Sequence, residues 1–263
     1  MTRPPPAPTW TFGPLNSPQA VKGTKRRLAR WPKRGWILKA LTEKYGVTFF
    51  GMQEVGLRHV AAFARSGALR FIRARPNVVK GRYEVGNGGV LDTRVLELLH
   101  RRLLVAWNRF GFRFIPVLLC ADRKTGDRVI LIAGHADRKK PNPEPGERVL
   151  RAIAREGARL HRLTGVAIAA LVDTNNSPAA DRIFAEYGWD RFIGKNDIDK
   201  GYSLGLDASN ERELDGFHGV VTDHPNPRVA DVTPTTRNFT LDKLPRLSRR
   251  VRALLKKARR RSR

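Results

Sequence analysis

The feature that most constrains the fold lies between residues 128 and 173, where two apolar segments flank a long amphipathic one. RVILIAGHA and VAIAALVD are short and almost wholly apolar, which is typical of strands buried on both faces. Between them, GERVLRAIAREGARLHRLTG repeats apolar residues at helical spacing and ends at Gly165, a frequent residue just past a helix. Strands buried on both faces need other layers packed over them, so this segment predicts an α/β protein.

Hairpins are mixed with this alternation of strands and helices. FRFIPVLLCA and RVILIAGHA are joined by DRKTGD, which favours a tight turn. PKRGWILKALTEKYG predicts a helix that ends before Gly46, VTFFGMQEV predicts a buried strand, and NSPAADRIFAEYGW predicts a helix with Ser177 as its N-cap. For TRVLELLHRRLLVAW, periodicity does not decide between helix and strand. We therefore predict a mixed-sheet α/β sandwich over residues 10–240.

The two ends of the chain differ from this central region. Residues 1–9 are rich in proline and are predicted to be disordered. From Lys243 to Arg263 there are eleven basic residues and no acidic one, with Leu and Val recurring at helical spacing. This pattern predicts a basic amphipathic helix and tail over residues 241–263.

The charge of the chain indicates its partners. It carries 51 Lys+Arg against 24 Asp+Glu, a net charge of +27, and a second basic block runs from Lys22 to Lys39. A field of this sign attracts polyanions, with nucleic acid first and an anionic membrane surface second, and it disfavours a small neutral substrate. DNA is favoured over RNA as a working hypothesis.

Two further features bear on the cellular setting. The single cysteine, Cys120, lies in an apolar run, which excludes an intramolecular disulfide and predicts a buried free thiol. The opening MTRPPPAPTW lacks the apolar core of a signal peptide, and the longest apolar runs are too short to span a bilayer. We expect a soluble cytoplasmic protein.

Polar residues follow the apolar strands at the points where the strands end. Such residues are Gln53-Glu54, His135, the triplet Asp173-Thr174-Asn175, and Asp223-His224. Each alone is compatible with an ordinary solvated turn. Together they supply carboxylates, an amide and two imidazoles, which suit a Mg²⁺ site and the charge neutralisation and proton transfer of phosphodiester hydrolysis.

The order of these motifs resembles the endonuclease/exonuclease/phosphatase superfamily, the DNase I-like proteins, over about residues 10–235. FFGMQEVG matches the family's Q-E motif, and VVTDHPNP matches its closing S-D-H motif with Thr222 in place of serine. IAGHAD and LVDTNNSP match its T-H-L and G-D-x-N motifs less closely, with Val172 where glycine is usual. The resemblance implies a four-layer α/β sandwich with two mixed, largely antiparallel sheets.

The resemblance also implies roles for individual residues. The metal ligands for Mg²⁺, with Mn²⁺ as an alternative, would be Asn16, Glu54 and Asp223. The catalytic residues would be His135, Asp173, Asn175, Asp199 and His224. Asp199 would orient His224, with Asp197 and Asp215 as rival candidates. The acidic partner that the family often places beside its first histidine has two candidates here, Glu84 and Asp92.

Fold does not determine substrate in this superfamily. The leading hypothesis is a Mg²⁺-dependent nuclease that hydrolyses DNA phosphodiester bonds, because the net charge favours a polyanion. The first alternative is a nucleic-acid-binding protein on a catalytically decayed nuclease fold, which the two divergent motifs favour. The second alternative is a phosphomonoesterase or lipid phosphodiesterase, which a charge of +27 makes less natural.

Overall fold

The computed structural model describes residues 6–16, 33–55, 68–73, 77–79, 82–84, 86–108, 111–136, 143–194, 198–218, 225–246, 249, 252–254, 256 and 260. Its three helices are α1 (Lys33–Lys44), α2 (Glu144–Thr164) and α3 (Ala180–Ala185). The strands are β1 (Trp10–Asn16), β2 (Phe49–Val55), β3 (Leu69–Arg73), β4 (Asn77–Val79), β5 (Arg82–Glu84), β6 (Gly86–Asp92), β7 (Leu96–Asn108), β8 (Gly111–Asp122), β9 (Arg128–His135), β10 (Ala167–Asp173), β11 (Asp190–Ile193), β12 (Asp199–Leu204), β13 (Leu206–Glu213) and β14 (Arg228–Pro234).

The strands form two six-stranded sheets. The first has the order β13-β14-β1-β2-β6-β3 and the second the order β11-β12-β10-β9-β8-β7, while β4 and β5 pair separately. β1 and β2 are parallel, as are β9 and β10, and the other pairings between described strands are antiparallel. Parallel neighbours need a crossover, and α1 and α2 lie in these two connections. The predicted mixed, largely antiparallel sheets are confirmed.

The sheets stack face to face between outer layers of helix. Side chains from both sheets, among them Phe12, Phe49, Leu118 and Leu131, form one buried cluster between the sheets. On its other face the second sheet packs against α2 and α3, and the first packs against α1. Alternation along the strands produces this division, because successive side chains point to opposite faces. The layers are therefore helix, sheet, sheet and helix.

Glycine allows the two sheets to approach closely beneath the ends of the parallel strands. A Cβ atom on Gly51 of β2 would lie 2.5 Å from Cβ of Leu171 on β10. At the second sheet's outer face, a Cβ atom on Gly134 would lie 2.4 Å from Cδ1 of Ile153 on α2. The first contact involves a Cβ atom that cannot move independently of the backbone, so Gly51 is required for packing, whereas at Gly134 the end of the Ile153 side chain would have to shift.

Most element types agree with the sequence patterns, with local differences. Residues 96–108, which periodicity left undecided, form a strand because they pair with β8 along its whole length. The helix expected to begin after Ser177 as its N-cap begins instead at Ala180, after a turn. Helical spacing predicts Leu163 on the buried side of α2 together with Leu160, but Leu163 is 60% exposed, since the buried residues of the helix end at Leu160. Cys120 is fully buried, and burial raises the pKa of its thiol.

The segment that follows β14 is bound to the second sheet by arginine side chains. Arg128 donates to the Leu241 carbonyl at 3.2 Å, and Arg102, which is paired with the buried Glu156, donates to the Pro245 carbonyl. Leu244 is 5% exposed and belongs to the core beneath α2, and residues 241–246 are not helical, so the predicted tail helix does not begin at residue 241. The described helical residues of the tail begin at Arg249. The domain boundary at residue 240 stays a prediction.

Among the described helices, we find none with the length and apolarity that crossing a membrane requires.

Candidate functional site

The predicted strand-end residues converge on one edge of the sandwich. Asn16 at the end of β1 pairs with Gln53 near the end of β2, and Asp173 at the end of β10 pairs with His135 at the end of β9. Asp199, the first residue of β12, is the antiparallel partner of Asp173. Because the carboxyl ends of parallel strands meet at the same edge, each sheet contributes polar side chains to one place.

Asp173 is the centre of this arrangement. Its side chain is buried, and its Oδ2 accepts a hydrogen bond of 2.8 Å from Nδ2 of Asn16, which belongs to the other sheet. Nε2 of His135 lies 3.3 Å from the same oxygen, and the backbone N–H of Asn175 donates to Oδ1 at 2.8 Å. A buried carboxylate is stable when several donors satisfy it, and these three donors hold this one in a single orientation.

Arg113 of β8 holds the other side of the His135 ring. Its Nη1 lies 3.2 Å from Nδ1 of His135, and the residue is 6% exposed. A guanidinium group donates and cannot accept, so Nδ1 must accept and the proton must lie on Nε2. His135 is therefore held as one tautomer, with its N–H directed at Asp173.

Arg113 is a contact of His135 that the resemblance did not imply, since the family often places an acidic partner beside this histidine. Of the two candidates, Asp92 is excluded because it pairs with Arg94 at 2.7 Å, at the opposite end of β6. The side chain of Glu84 lies outside the described residues. Sequence reasoning missed Arg113, although an arginine inside the apolar run FRFIPVLL is an unusual residue for a buried strand and could have identified it.

Two asparagine residues form the turn after β10. Asn175 and Asn176 have φ values of 48° and 59°, a left-handed conformation that asparagine tolerates better than most residues. Nδ2 of Asn175 donates to the Ala136 carbonyl at 2.7 Å, and Oγ1 of Thr174 donates to the Ile198 carbonyl at 2.7 Å. These bonds join the ends of β9, β10 and β12.

Val172, which stands where the family has glycine, does not crowd the site. Its side chain belongs to the core between the second sheet and α2. Successive side chains of a strand alternate, so the Cβ of Val172 points away from the face that carries Asp173. The valine that replaces the family's glycine therefore packs in the core and does not reach the site.

Glu54 has an unusual backbone. Its φ is 57°, and the register between β2 and β6 shifts between Met52 and Val55. A bulge of this kind redirects a side chain, and a left-handed glutamate costs about 1–3 kcal/mol, which is a type of strain that concentrates at functional sites. Gln53 beside it is anchored, since its Nε2 donates to the carbonyls of Gly51 and Leu171.

The last motif of the sequence lies outside the described residues, which omit both Asp223 and His224. Asp199 is half-buried at the same edge as Asp173. Its predicted function of orienting His224 stays a prediction. The rival Asp197 is also outside the described residues, whereas Asp215 lies in the turn after β13, where its carbonyl accepts from Tyr45.

The donor atoms at this edge fit a hard divalent cation. Oδ1 of Asn16 and Oε1 of Gln53 are buried and have no hydrogen-bond partner among the described residues. Amide and carboxylate oxygens are the ligand types that Mg²⁺ takes. Within the described ranges, no group of three or more His, Cys, Asp or Glu side chains is placed to hold a metal ion. Of the predicted metal ligands Asn16, Glu54 and Asp223, the structure describes the first two.

Comparison with known proteins identifies the architecture. No family model matches the sequence, and no curated protein matches it by sequence. An endonuclease/exonuclease/phosphatase family protein from Bacteroides thetaiotaomicron superposes with a TM-score of 0.69 at 10% identity, over 87% of this chain and 98% of that one. A mannosyl-6-phosphatase from the same organism gives 0.67 at 11% identity, over 85% and 99%. D. rerio TDP2 in complex with a single-strand DNA product gives 0.60 at 10% identity, over 85% and 98%. The chain therefore has the DNase I-like fold of the endonuclease/exonuclease/phosphatase proteins.

Proposed function

We propose that the protein is a divalent-metal-dependent phosphodiesterase that hydrolyses nucleic acid, with DNA as the favoured substrate. The observation that carries this proposal is the buried carboxylate of Asp173, held by Asn16 from one sheet and by His135 and Asn175 from the other. A carboxylate fixed in this way beside an imidazole can orient a water molecule towards a phosphorus atom.

Each residue has a distinct task in this proposal. Asp173, with Asn175 beside it, positions the attacking water and the scissile phosphate. His135, whose Nε2–H is directed at Asp173, keeps that carboxylate in its orientation and stabilises its negative charge beside the scissile phosphate. His224, oriented by Asp199, takes the proton from the attacking water or stabilises the phosphate.

Asn16, Glu54 and Asp223 are the residues that would hold Mg²⁺ or Mn²⁺. When bound, the cation supplies Lewis-acid neutralisation of phosphate charge. The buried amide oxygen of Asn16 without a hydrogen-bond partner among the described residues supports this assignment. The strained backbone of Glu54 supports it as well.

Two observations favour nucleic acid as the substrate. The net charge of +27 attracts a polyanion, and the basic residues around the tail suit a phosphate backbone. One protein of the same fold has been solved with a single-strand DNA product. The second candidate is a phosphomonoesterase, since another protein of this fold is a mannosyl-6-phosphatase.

Cleavage of supercoiled plasmid DNA tests the proposal. We expect nicking with Mg²⁺, loss of nicking with EDTA, and a reduction of at least about 100-fold in both Asp173→Ala and His224→Ala. Asp207→Ala, which removes an exposed carboxylate from β13, is the matched control and should retain full activity.

The alternatives give different results in the same experiment. Tight DNA binding without cleavage under any metal would identify a decayed, binding-only protein. Release of phosphate from monoesters without nicking would identify a phosphomonoesterase. Full nicking by folded Asp173→Ala and His224→Ala proteins would contradict the proposed site.

A further inference from the structure

Two aromatic side chains stand at the site edge of the second sheet. Trp107 of β7 and Phe112 of β8 are directly opposite each other in the antiparallel pair. Their ring centroids are 4.9 Å apart with an interplanar angle of 88°. Trp107 is 38% exposed and Phe112 is half-buried, so the pair presents ring surface to solvent. Exposed aromatic surface beside a candidate site is a feature of ligand-contact surfaces.

The pair lies on the face of the second sheet that packs against the first sheet. Phe112 is an even number of residues from Leu118 and Cys120 of β8, so its side chain lies on the same face of the strand as theirs. Leu118 and Cys120 belong to the core between the sheets. Trp107, as the direct cross-strand neighbour of Phe112, shares its face. The neighbouring Phe114 carbonyl accepts a 3.0 Å hydrogen bond from Asn87 on the first sheet, which anchors this end of the hairpin.

The pair is also close to the catalytic residues along the sheet. Phe112 directly precedes Arg113, whose guanidinium contacts His135. β7 is the second strand from β9, so Trp107 is displaced from His135 by roughly 10 Å across the sheet. The registers also place Trp107 about two residues, or roughly 7 Å, beyond His135 along the strands. A polymer whose phosphate lies at Asp173 and His135 would therefore place a base one or two nucleotides away beside the pair.

We infer that the Trp107–Phe112 pair is a stacking platform for an unpaired base next to the scissile phosphate, so that the site takes single-stranded nucleic acid. This inference rests on the proposed function, because it places the scissile phosphate at Asp173. An aromatic face binds any base that is not already stacked in a duplex. The positive charge of the chain complements the phosphate backbone, and Arg101 is exposed on the same strand face as Trp107.

Binding measured in EDTA separates the platform from catalysis. The probe is a fluorescent oligothymidylate of about 15 nucleotides, compared with an abasic oligomer of equal length and with a duplex. Trp107→Ala should weaken binding to the single strand by about 5- to 150-fold. It should leave binding to the abasic oligomer and the duplex nearly unchanged. Trp107→Phe, which retains a ring, should recover most of the affinity.

Phe239→Ala provides the matched control. Phe239 is 47% exposed, lies under the guanidinium of Arg237, and is close to Gly126 at the opposite end of the second sheet. Its removal should change the affinity for the single strand by less than about twofold. Thermal melting of each variant confirms that it is folded.

Three results would overturn the inference. The first is a folded Trp107→Ala protein that binds the single strand no more weakly than Phe239→Ala does. The second is an equal loss on the abasic oligomer, which would show that no base stacks there. The third is a Trp107→Ala protein that binds vesicles of phosphatidylserine and phosphatidylcholine more weakly than wild type but binds the single strand as wild type does. This result would assign the pair to a membrane surface. Because these assays contain no free metal, absence of nuclease activity in the plasmid assay would contradict the proposed function separately.

Discussion

Asn16 and Asp173 are 157 residues apart in the chain, yet their side chains join the two sheets through a hydrogen bond of 2.8 Å. Asn16 ends a strand of the first sheet, and Asp173 ends a strand of the second. The bond places the candidate catalytic carboxylate at the point where the two sheets meet. The geometry of the site therefore depends on the packing of the two sheets. Variants near this point test the site and the packing together.

Arg113→Met should lower kcat by about 10- to 100-fold with a smaller effect on KM. Without the guanidinium, Nδ1 of His135 loses its donor, so the ring can carry its proton on Nδ1 and no longer donate from Nε2 to Asp173. Arg113→Lys retains a donor and should recover part of the activity. Imidazole ¹⁵N chemical shifts report the tautomer directly. An unchanged tautomer in folded Arg113→Met would show that Arg113 does not position the ring.

Glu54→Gly should separate stability from activity. Glycine adopts a positive φ without strain, so we expect the free energy of unfolding to rise by about 1 kcal/mol. The same change removes the proposed metal-binding carboxylate and should abolish hydrolysis. Glu54→Gln, which keeps the left-handed strain, should lose activity without gaining stability. Urea unfolding and plasmid nicking measure the two effects. A Glu54→Gly protein that is less stable than Glu54→Gln would contradict this interpretation.

Asp231 should contribute stability that disappears in acid. Its burial raises the pKa of the carboxyl, but hydrogen bonds from Thr11, Asn210 and Arg212 outweigh this effect and hold the pKa below its ordinary value. A carboxyl whose pKa is lower in the folded state stabilises the protein above the pKa of the unfolded chain, near 3.9, and loses this contribution as pH falls through the folded value.

Asp231→Asn should therefore lower the free energy of unfolding at pH 7 by about 1 kcal/mol, and by progressively less below about pH 4. Urea midpoints of wild type and variant across this range give the comparison. Asp207→Asn, an exposed neighbour on β13, is the control and should show little effect. A difference that grows towards acid pH would have the wrong sign for this explanation.

Two truncations should separate the segment bound to the second sheet from the basic tail. Removal of residues 247–263 should leave the fold stable, because Leu244 and the carbonyl groups bound by Arg102 and Arg128 remain. Removal of residues 241–263 should destabilise the protein by about 2–5 kcal/mol, since the buried Leu244 is removed with it.

The shorter truncation also tests the tail as a nucleic-acid contact. For every phosphate that the tail neutralises, its removal should reduce the slope of log affinity against log salt by about 0.7 to 0.9. Fluorescence anisotropy over a salt series measures this slope. Equal slopes for the full chain and the 1–246 protein would show that the tail binds no phosphate.

Local patterns were sufficient for most of the secondary structure. The helix before Gly46, the long helix before Gly165 and the strand that ends at Asp173 follow from periodicity and glycine stops. Periodicity could not decide between helix and strand for residues 96–108, because their mixture of basic and apolar residues fits the period of either element. Pairing with β8 makes them a strand. Ser177 was predicted as a helix cap from its residue type, whereas the helix begins three residues later, after a turn.

The sequence by itself determined which polar residues follow buried strands, since an apolar run and the polar residue after it are local features. It therefore identified Glu54, His135 and Asp173 as candidates, and the resemblance to the superfamily whose fold the structure confirms added Asn16. Only the tertiary structure decided that Asn16 binds Asp173 across the sheets and that Arg113 contacts His135. Those contacts depend on strand order and on the packing of two sheets, which are set by non-local pairing that no local pattern records.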